Sequence, residues 1–300
     1  MKKTTIILGL ALAMFTACDK EQPEALSGAP VTFNVAVCQE SVLTRAGDNV
    51  QSTRLAAGES FNAYLTNCTL GEAVYTMNGD EVTATPDQQP FVMKGLAAEF
   101  NAIYPSTATH STNNWSVSLD QTTEAGYKAS DLMYASGPIA ASGRADVTFQ
   151  HRMAKIIIKA TAGQSIEEIR AIRIIKGYRS VTINSTAMTP SATVYDVIGN
   201  TDATCIKVME GGSEAHADCA ALLPPQTIAA GTGVADRFLE VSTNKGTCWF
   251  NLRSASGSSV TFESGKSYSL VLPIDADIIG LTATITPWVQ ASDQVAFTEL

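Results

Sequence analysis

Short apolar stretches that alternate with polar residues, each closed by Gly, Pro, Asn or Ser, run along most of the chain. Val31-Thr32-Phe33-Asn34-Val35-Ala36-Val37 alternates strictly. On an extended backbone this puts Val31, Phe33, Val35 and Val37 on one face. Residues 61–65 alternate more loosely. Further strands are predicted at 73–77, 99–104, 115–119, 132–135 and 147–149. In the second half they fall at 155–160, 169–175, 181–184, 205–209, 220–223, 238–242, 247–252, 268–272 and 281–288. Many short strands separated by turn residues read as antiparallel β-sandwiches. One segment, 166–170, reads as a helix with Ser165 as its N-cap, or else as the start of a strand. The stretch from Tyr134 to Gly143 is small, Gly-containing and uncharged, which marks a link between two halves and puts a domain boundary near residue 145.

The N-terminus follows a different pattern. Lys2-Lys3 precedes an apolar run from Ile6 to Phe15, a basic n-region and an h-region of signal-peptide length. The run ends in Phe15-Thr16-Ala17-Cys18, which resembles a bacterial lipobox with Phe15 in place of the usual Leu. Residues 1–17 are then a signal peptide, Cys18 is the lipidated residue, and 18–30 form a polar tether that begins Asp19-Lys20-Glu21. Such an acidic start resembles an export signal to the outer leaflet. No later stretch is apolar for long enough to span a bilayer as a helix, so the expected membrane attachment is the lipid on Cys18.

Composition narrows the function classes. Charged residues make up 16% of the 300-residue chain, well below the usual share of about 25%. The net charge is −9, and basic residues gather only in the short stretch from Arg170 to Arg179. Phosphate binding needs a concentrated basic face, so nucleic acid is excluded as a partner. With Cys18 acylated, Cys38, Cys68, Cys205, Cys219 and Cys248 remain, an odd and widely spaced set that suits disulfides and buried thiols equally.

The local signatures of catalysis and cofactor binding are absent: there is no G-x-S-x-G, H-E-x-x-H or G-x-G-x-x-G. Gly265-Lys266-Ser267 has the ending of a phosphate loop, but Val260 stands where its first Gly would be, so it reads as a turn before a strand. Glu214, His216, Asp218 and Cys219 are possible metal ligands at close spacing, and read better as a solvated loop beside Gly211-Gly212. His110 reads as a loop residue and His151 as a half-buried packing residue. The expectation is no enzyme, no cofactor and no metal.

Several ordered segments together resemble the fimbrillin family, the shaft, tip and anchor pilins of type V fimbriae made by anaerobic gut and oral bacteria. They are Leu43-Thr44-Arg45-Ala46, Asp131-Leu132-Met133-Tyr134-Ala135, and the run from Val147 to Ile156 that contains Gln150-His151-Arg152-Met153. Leu222-Leu223-Pro224-Pro225-Gln226-Thr227, Gly265-Lys266-Ser267-Tyr268 and Ile285-Thr286-Pro287-Trp288 follow in order. Pro224 is an extra residue relative to the family's Leu-Pro-Gln pattern.

The resemblance implies two transthyretin-like antiparallel β-sandwich domains in tandem, 31–145 and 146–300, and no enzymatic activity. It also implies a maturation route: export as an outer-membrane surface lipoprotein through Cys18, then cleavage between Arg45 and Ala46 by an Arg-specific protease. The first strand (31–45, carrying Val31, Phe33, Val35 and Val37) would leave, and a neighbour's strand would take its groove. The C-terminal stretch 289–300, with Val295 and Phe297 on one face, reads either as that donor or as the last strand of its own domain. The implied partners are other fimbrial subunits, the outer membrane, and surface ligands met in adhesion. The alternative is an anchor or glycan- or host-binding lipoprotein that keeps its lipid and does not polymerise.

Overall fold

The computed structural model describes residues 27–38, 55–110, 115–183, 188–190, 194–196, 205–252, 258–274 and 282–287. The first half contains β1 (Ser27–Pro30), β2 (Thr32–Val37), β3 (Ser60–Thr66), β4 (Glu72–Asn78), β5 (Glu81–Ala84) and β6 (Phe91–Met93). It continues with β7 (Ala98–Tyr104), β8 (Trp115–Ser116), helix α1 (Glu124–Ala129), β9 (Met133–Ile139) and β10 (Arg144–His151). Seven of these strands form one sheet in the order β2-β10-β9-β7-β3-β4-β5. The sheet curls until its edge strands β2 and β5 approach within 8 Å between Cα atoms. Its concave face closes over a core of Phe33, Phe61, Tyr75, Phe100, Phe149 and smaller apolar residues.

The second half opens with β11 (Ala154–Ala162), β12 (Ile169–Ile174), β13 (Lys176–Tyr178), β14 (Ser180–Ile183), β15 (Met188–Pro190) and β16 (Val194–Asp196). Next come β17 (Ile206–Glu214), β18 (His216–Leu223), β19 (Gln226–Ile228), β20 (Arg237–Thr243) and β21 (Gly246–Asn251). The described strands end with β22 (Val260–Phe262), β23 (Lys266–Ile274) and β24 (Thr282–Pro287). Two four-stranded sheets, β18-β11-β23-β24 and β17-β12-β20-β21, contribute to one core. That core includes Ile156 and Ile158 of β11, Ile172 of β12, Phe238 of β20 and Tyr268 of β23. It also takes in Ala108, Trp115, Val117, Tyr127 and Leu132. The segment between β7 and β9 therefore leaves the first sheet to pack on the second core, and β8 pairs with β14.

The all-β sandwich character matches the sequence reading, with four local departures. Tyr134 to Gly143 is not a link: β9 runs to Ile139, and a turn closed by Gly143 N–H donating to Ala140 O (2.8 Å) leads straight into β10. β10 belongs to the first sheet, so the change of core falls between Phe149 and Met153 rather than near 145. Of the two readings of 166–170 the helix fails and the start of a strand holds, since Ile169 starts β12; among the described residues the α-helix is α1, whose Thr123 Oγ1 accepts from Gly126 N–H at 3.1 Å. Ser27–Pro30, expected in the tether, forms β1 and pairs with β6. The sheets are also mixed, since β2 runs parallel to β10 and β11 parallel to β23.

Candidate functional site

The strict alternation of Val31 to Val37 becomes the edge strand β2. Val31, Phe33, Val35 and Val37 are 1%, 7%, 4% and 7% exposed, while Thr32, Asn34 and Ala36 face solvent. β2 pairs in parallel register with Arg144 to Phe149 of β10, and Asn34 Nδ2 donates to Asp146 Oδ1 at 3.0 Å on the outer face. Phe33 anchors the strand. Its ring meets Tyr75, Phe100 and Phe61 edge-on at centroid distances of 4.7, 5.2 and 5.7 Å, and Phe61 in turn meets Phe149 at 5.2 Å. Burying four such side chains is worth about 6–12 kcal/mol as an upper bound, and each aromatic pair adds roughly 0.5–1.5 kcal/mol. A first sheet deprived of this strand would present an apolar groove flanked by the unpaired polar groups of β10.

The cleavage pair Arg45 and Ala46, the lipidation residue Cys18 and the donor candidates Val295 and Phe297 lie outside the described residues. The described chain stops at Cys38 beyond the end of β2 and resumes at Leu55, which is buried in the first core.

Glu214, His216, Asp218 and Cys219, read as a solvated loop beside Gly211-Gly212, instead end β17 and open β18. His216 Nε2 lies 3.0 Å from Glu214 Oε2, both side chains about seven-tenths exposed. Asp218 is also exposed, but Cys219 points into the second core on the opposite face of β18. Among the described residues no group of three or more His, Cys, Asp or Glu side chains is placed to hold a metal. Gly265 turns at φ +68° into β23, as its reading as a turn requires.

Three of the segments that carried the family resemblance, those at 131–135, 147–156 and 265–268, meet where the two cores adjoin. Asp131 Oδ1 and His151 Nδ1 are 2.8 Å apart with both side chains buried, and the Arg152 guanidinium sits over the Tyr134 ring at 5.1 Å. Arg152 N–H donates to Leu132 O (2.8 Å), and Gly265 N–H donates to Met153 O (3.0 Å). A Cβ on Gly265 would lie 3.0 Å from His151 O, so this turn packs directly on the junction. Gln226 of the Leu-Pro-Pro-Gln segment accepts Tyr178 N–H at 2.6 Å and donates to Tyr178 O (2.9 Å) and Pro224 O (3.1 Å). Gln226 thereby satisfies three backbone groups beside β13 and β19.

Sequence reasoning missed three residues that bear on the groove, namely Tyr75, Gln89 and Gly143. Gln89 Nε2 and Tyr75 Oη both donate to Val31 O, at 3.0 and 3.3 Å. Gln89 gave only a weak signal, a polar residue before Pro90, and Gly143 read as part of a link.

A family model described as fimbrillin-like matches residues 43–288. The chain belongs to the fimbrillin-like family. A fimbrillin-like chain is a structural subunit at the cell surface that works among other fimbrial subunits. The matched stretch starts after β2, so the groove and its walls lie within it while the strand that fills the groove lies before it. Two solved structures share the fold. A putative cell adhesion protein from Bacteroides uniformis is 19% identical, with a TM-score of 0.59 over 87% of this chain and 99% of its own. One from Bacteroides ovatus is 16% identical, with a TM-score of 0.60 over 88% and 99%. A comparison with curated proteins returned no match. Among the described residues of this fimbrillin-like chain, no helix is long and apolar enough to cross a membrane.

Proposed function

We propose that this fimbrillin-like protein is a shaft or tip subunit that polymerises by exchanging its first strand. It is exported as a lipoprotein on Cys18, cut after Arg45, and freed of the segment that contains β1 and β2. The groove then accepts a strand from a second subunit, with Val295 and Phe297 in 289–300 as the donor face. The two solved neighbours named for cell adhesion support a role in attachment to surfaces.

The observation that carries this reading is the seating of β2. A strand at the sheet edge, joined to the rest of the chain through the stretch that holds Arg45, supplies four buried side chains to the first core. Removing it exposes apolar surface and a row of backbone donors and acceptors together, the combination that a strand from another chain satisfies. The same seating favours a second reading, an anchor that keeps Cys18 and β2 and never polymerises.

The test is cleavage of the exported chain by an Arg-specific protease, followed by electrophoresis without boiling. A ladder of oligomers that requires Arg45 and disappears on deletion of 289–300 supports exchange through this donor. Monomers at every protease dose support the anchor, and a ladder that survives the deletion rules out 289–300.

A further inference from the structure

A groove that gives up its strand must stay built while it is empty, and β10 is the strand this concerns. With β2 in place, β10 is registered against it residue by residue from Arg144–Thr32 to Phe149–Val37. Two further bonds extend that contact: Thr32 N–H donates to Gly143 O at 2.9 Å and Cys38 N–H to Phe149 O at 2.8 Å. All of these go when β2 goes. On its other side β10 is registered to β9 at Gln150–Tyr134 and His151–Met133, with Ala140 N–H donating to Arg144 O (2.9 Å) at the turn. The new edge strand is therefore held most firmly at its C-terminal end.

That end is fastened to the second core. His151 Nδ1 lies 2.8 Å from Asp131 Oδ1, both side chains buried. Arg152 N–H donates to Leu132 O at 2.8 Å, and Leu132 and Met153 are both fully enclosed members of the second core. Arg152 O accepts from Ser264 Oγ at 3.0 Å, and Met153 O from Gly265 N–H at 3.0 Å. Asp131 itself is placed from the same side. Its N–H donates to Lys128 O (3.0 Å) at the end of α1, and Tyr127 of that helix packs in the second core. Phe149 adds the last hold from within the first sheet, since its ring keeps Phe61 at 5.2 Å and Tyr104 at 6.5 Å whether or not β2 is present.

We propose that Asp131 and His151 are positioning residues for strand capture: they clamp β10 to the second core, so that the emptied groove keeps a built edge for the next strand. The clamp rests on the strand-exchange reading above for its use, and on the seam geometry for its action. Neither side chain belongs to the strand that leaves, so the clamp survives the departure of β1 and β2 intact.

The first test uses the uncut chain, in which β2 opens transiently. Wild-type amide exchange over 149–153 should be slower than over 31–37 by about a hundredfold, because opening of β2 leaves the clamp closed. Asp131→Ala should bring 144–153 to within about tenfold of 31–37, with β3 and β4 unchanged. Asp131→Asn keeps an oxygen for His151 and should shift the same segment less, which leaves the test decisive if the Ala variant does not fold. Unchanged exchange over 144–153, or equal acceleration in β3 and β4, overturns the clamp.

The second test separates a clamp on the empty groove from general support of the filled one. Chains cut after Arg45 and stripped of the first strand in dilute urea are offered a labelled synthetic peptide of residues 27–38. If only a fraction of empty grooves is competent in Asp131→Ala, peptide entry slows by about tenfold while its release is unchanged. Faster release with unchanged entry, or no change in either, overturns the positioning role. A wild-type chain that admits no peptide defeats the exchange reading, while amide exchange in the uncut chain still decides whether the seam holds β10.

Discussion

Replacing Phe33 by Ala in the uncut chain should destabilise the first core by about 3–5 kcal/mol, the usual cost of truncating a buried Phe. The ring is 7% exposed and is surrounded by Phe61, Tyr75 and Phe100, whose own rings are all but fully buried, so the site has little freedom to collapse around the void. The matched control is Asn34→Ala, one residue along the same strand. It loses only the exposed bond to Asp146 and should cost under about 0.5 kcal/mol. Urea unfolding followed by amide exchange in β7 and β9 reads the first core separately from the second. Phe33 departs with the strand if the chain is cut and exchanged, so the same substitution should leave the assembled polymer as stable as wild type. Release of the first strand should meanwhile speed up by roughly 10²–10⁴-fold. Equal costs for Phe33→Ala and Asn34→Ala, or a polymer weakened by Phe33→Ala, would refute the reasoning.

Other consequences can be checked separately. Gln226→Ala removes three hydrogen bonds at the seam around Tyr178 and should lower stability by about 1.5–4 kcal/mol in thermal or chemical denaturation. Asp131→Ala leaves buried His151 without its 2.8 Å partner in Asp131 and should cost about 1–3 kcal/mol, with its largest effect on exchange in β9 and β10. Burial, opposed by Glu72, holds the His110 imidazole below its ordinary value of 6.5. The unfolded chain therefore binds this proton first as pH falls, and the stabilisation present above pH 6.5 is lost as pH drops through the folded value. The difference in unfolding free energy between wild type and His110→Gln should accordingly change between pH 7.5 and 5, and a difference that is flat over this range would contradict the assignment.

Where side-chain alternation decides structure, the sequence was legible. β2 could be read to within a residue because Val31, Phe33, Val35 and Val37 have to share a face, and β20 to within a residue at each end, whereas only 147–149 of β10 was read and a boundary was put inside it. Misreadings arose where a residue's role depends on a distant neighbour. Ser136-Gly137-Pro138 looks like a link, yet Gly137 sits within β9 because a Cβ there would lie 3.2 Å from the Phe100 ring, and the glycine makes room for it. Helix α1 has one buried apolar residue, Tyr127, and a Gly inside it, so no helical period could reveal it.

β1 contains Gly28 and Pro30 and has no apolar alternation, so its pairing with β6 is visible only in three dimensions. For the groove, the occupant was legible and its fastenings were not. Gln89 and Tyr75 come from segments some fifty residues away and act through the backbone of Val31, which leaves no mark on side-chain pattern.

The central claim is that the first strand is a temporary occupant, and the N-terminus of the protein in fimbrial surface fractions tests it most directly. Mass spectrometry of those fractions should find chains that begin at Ala46 in the polymer. An acylated Cys18 on every copy, with residues 31–37 still attached, would contradict it.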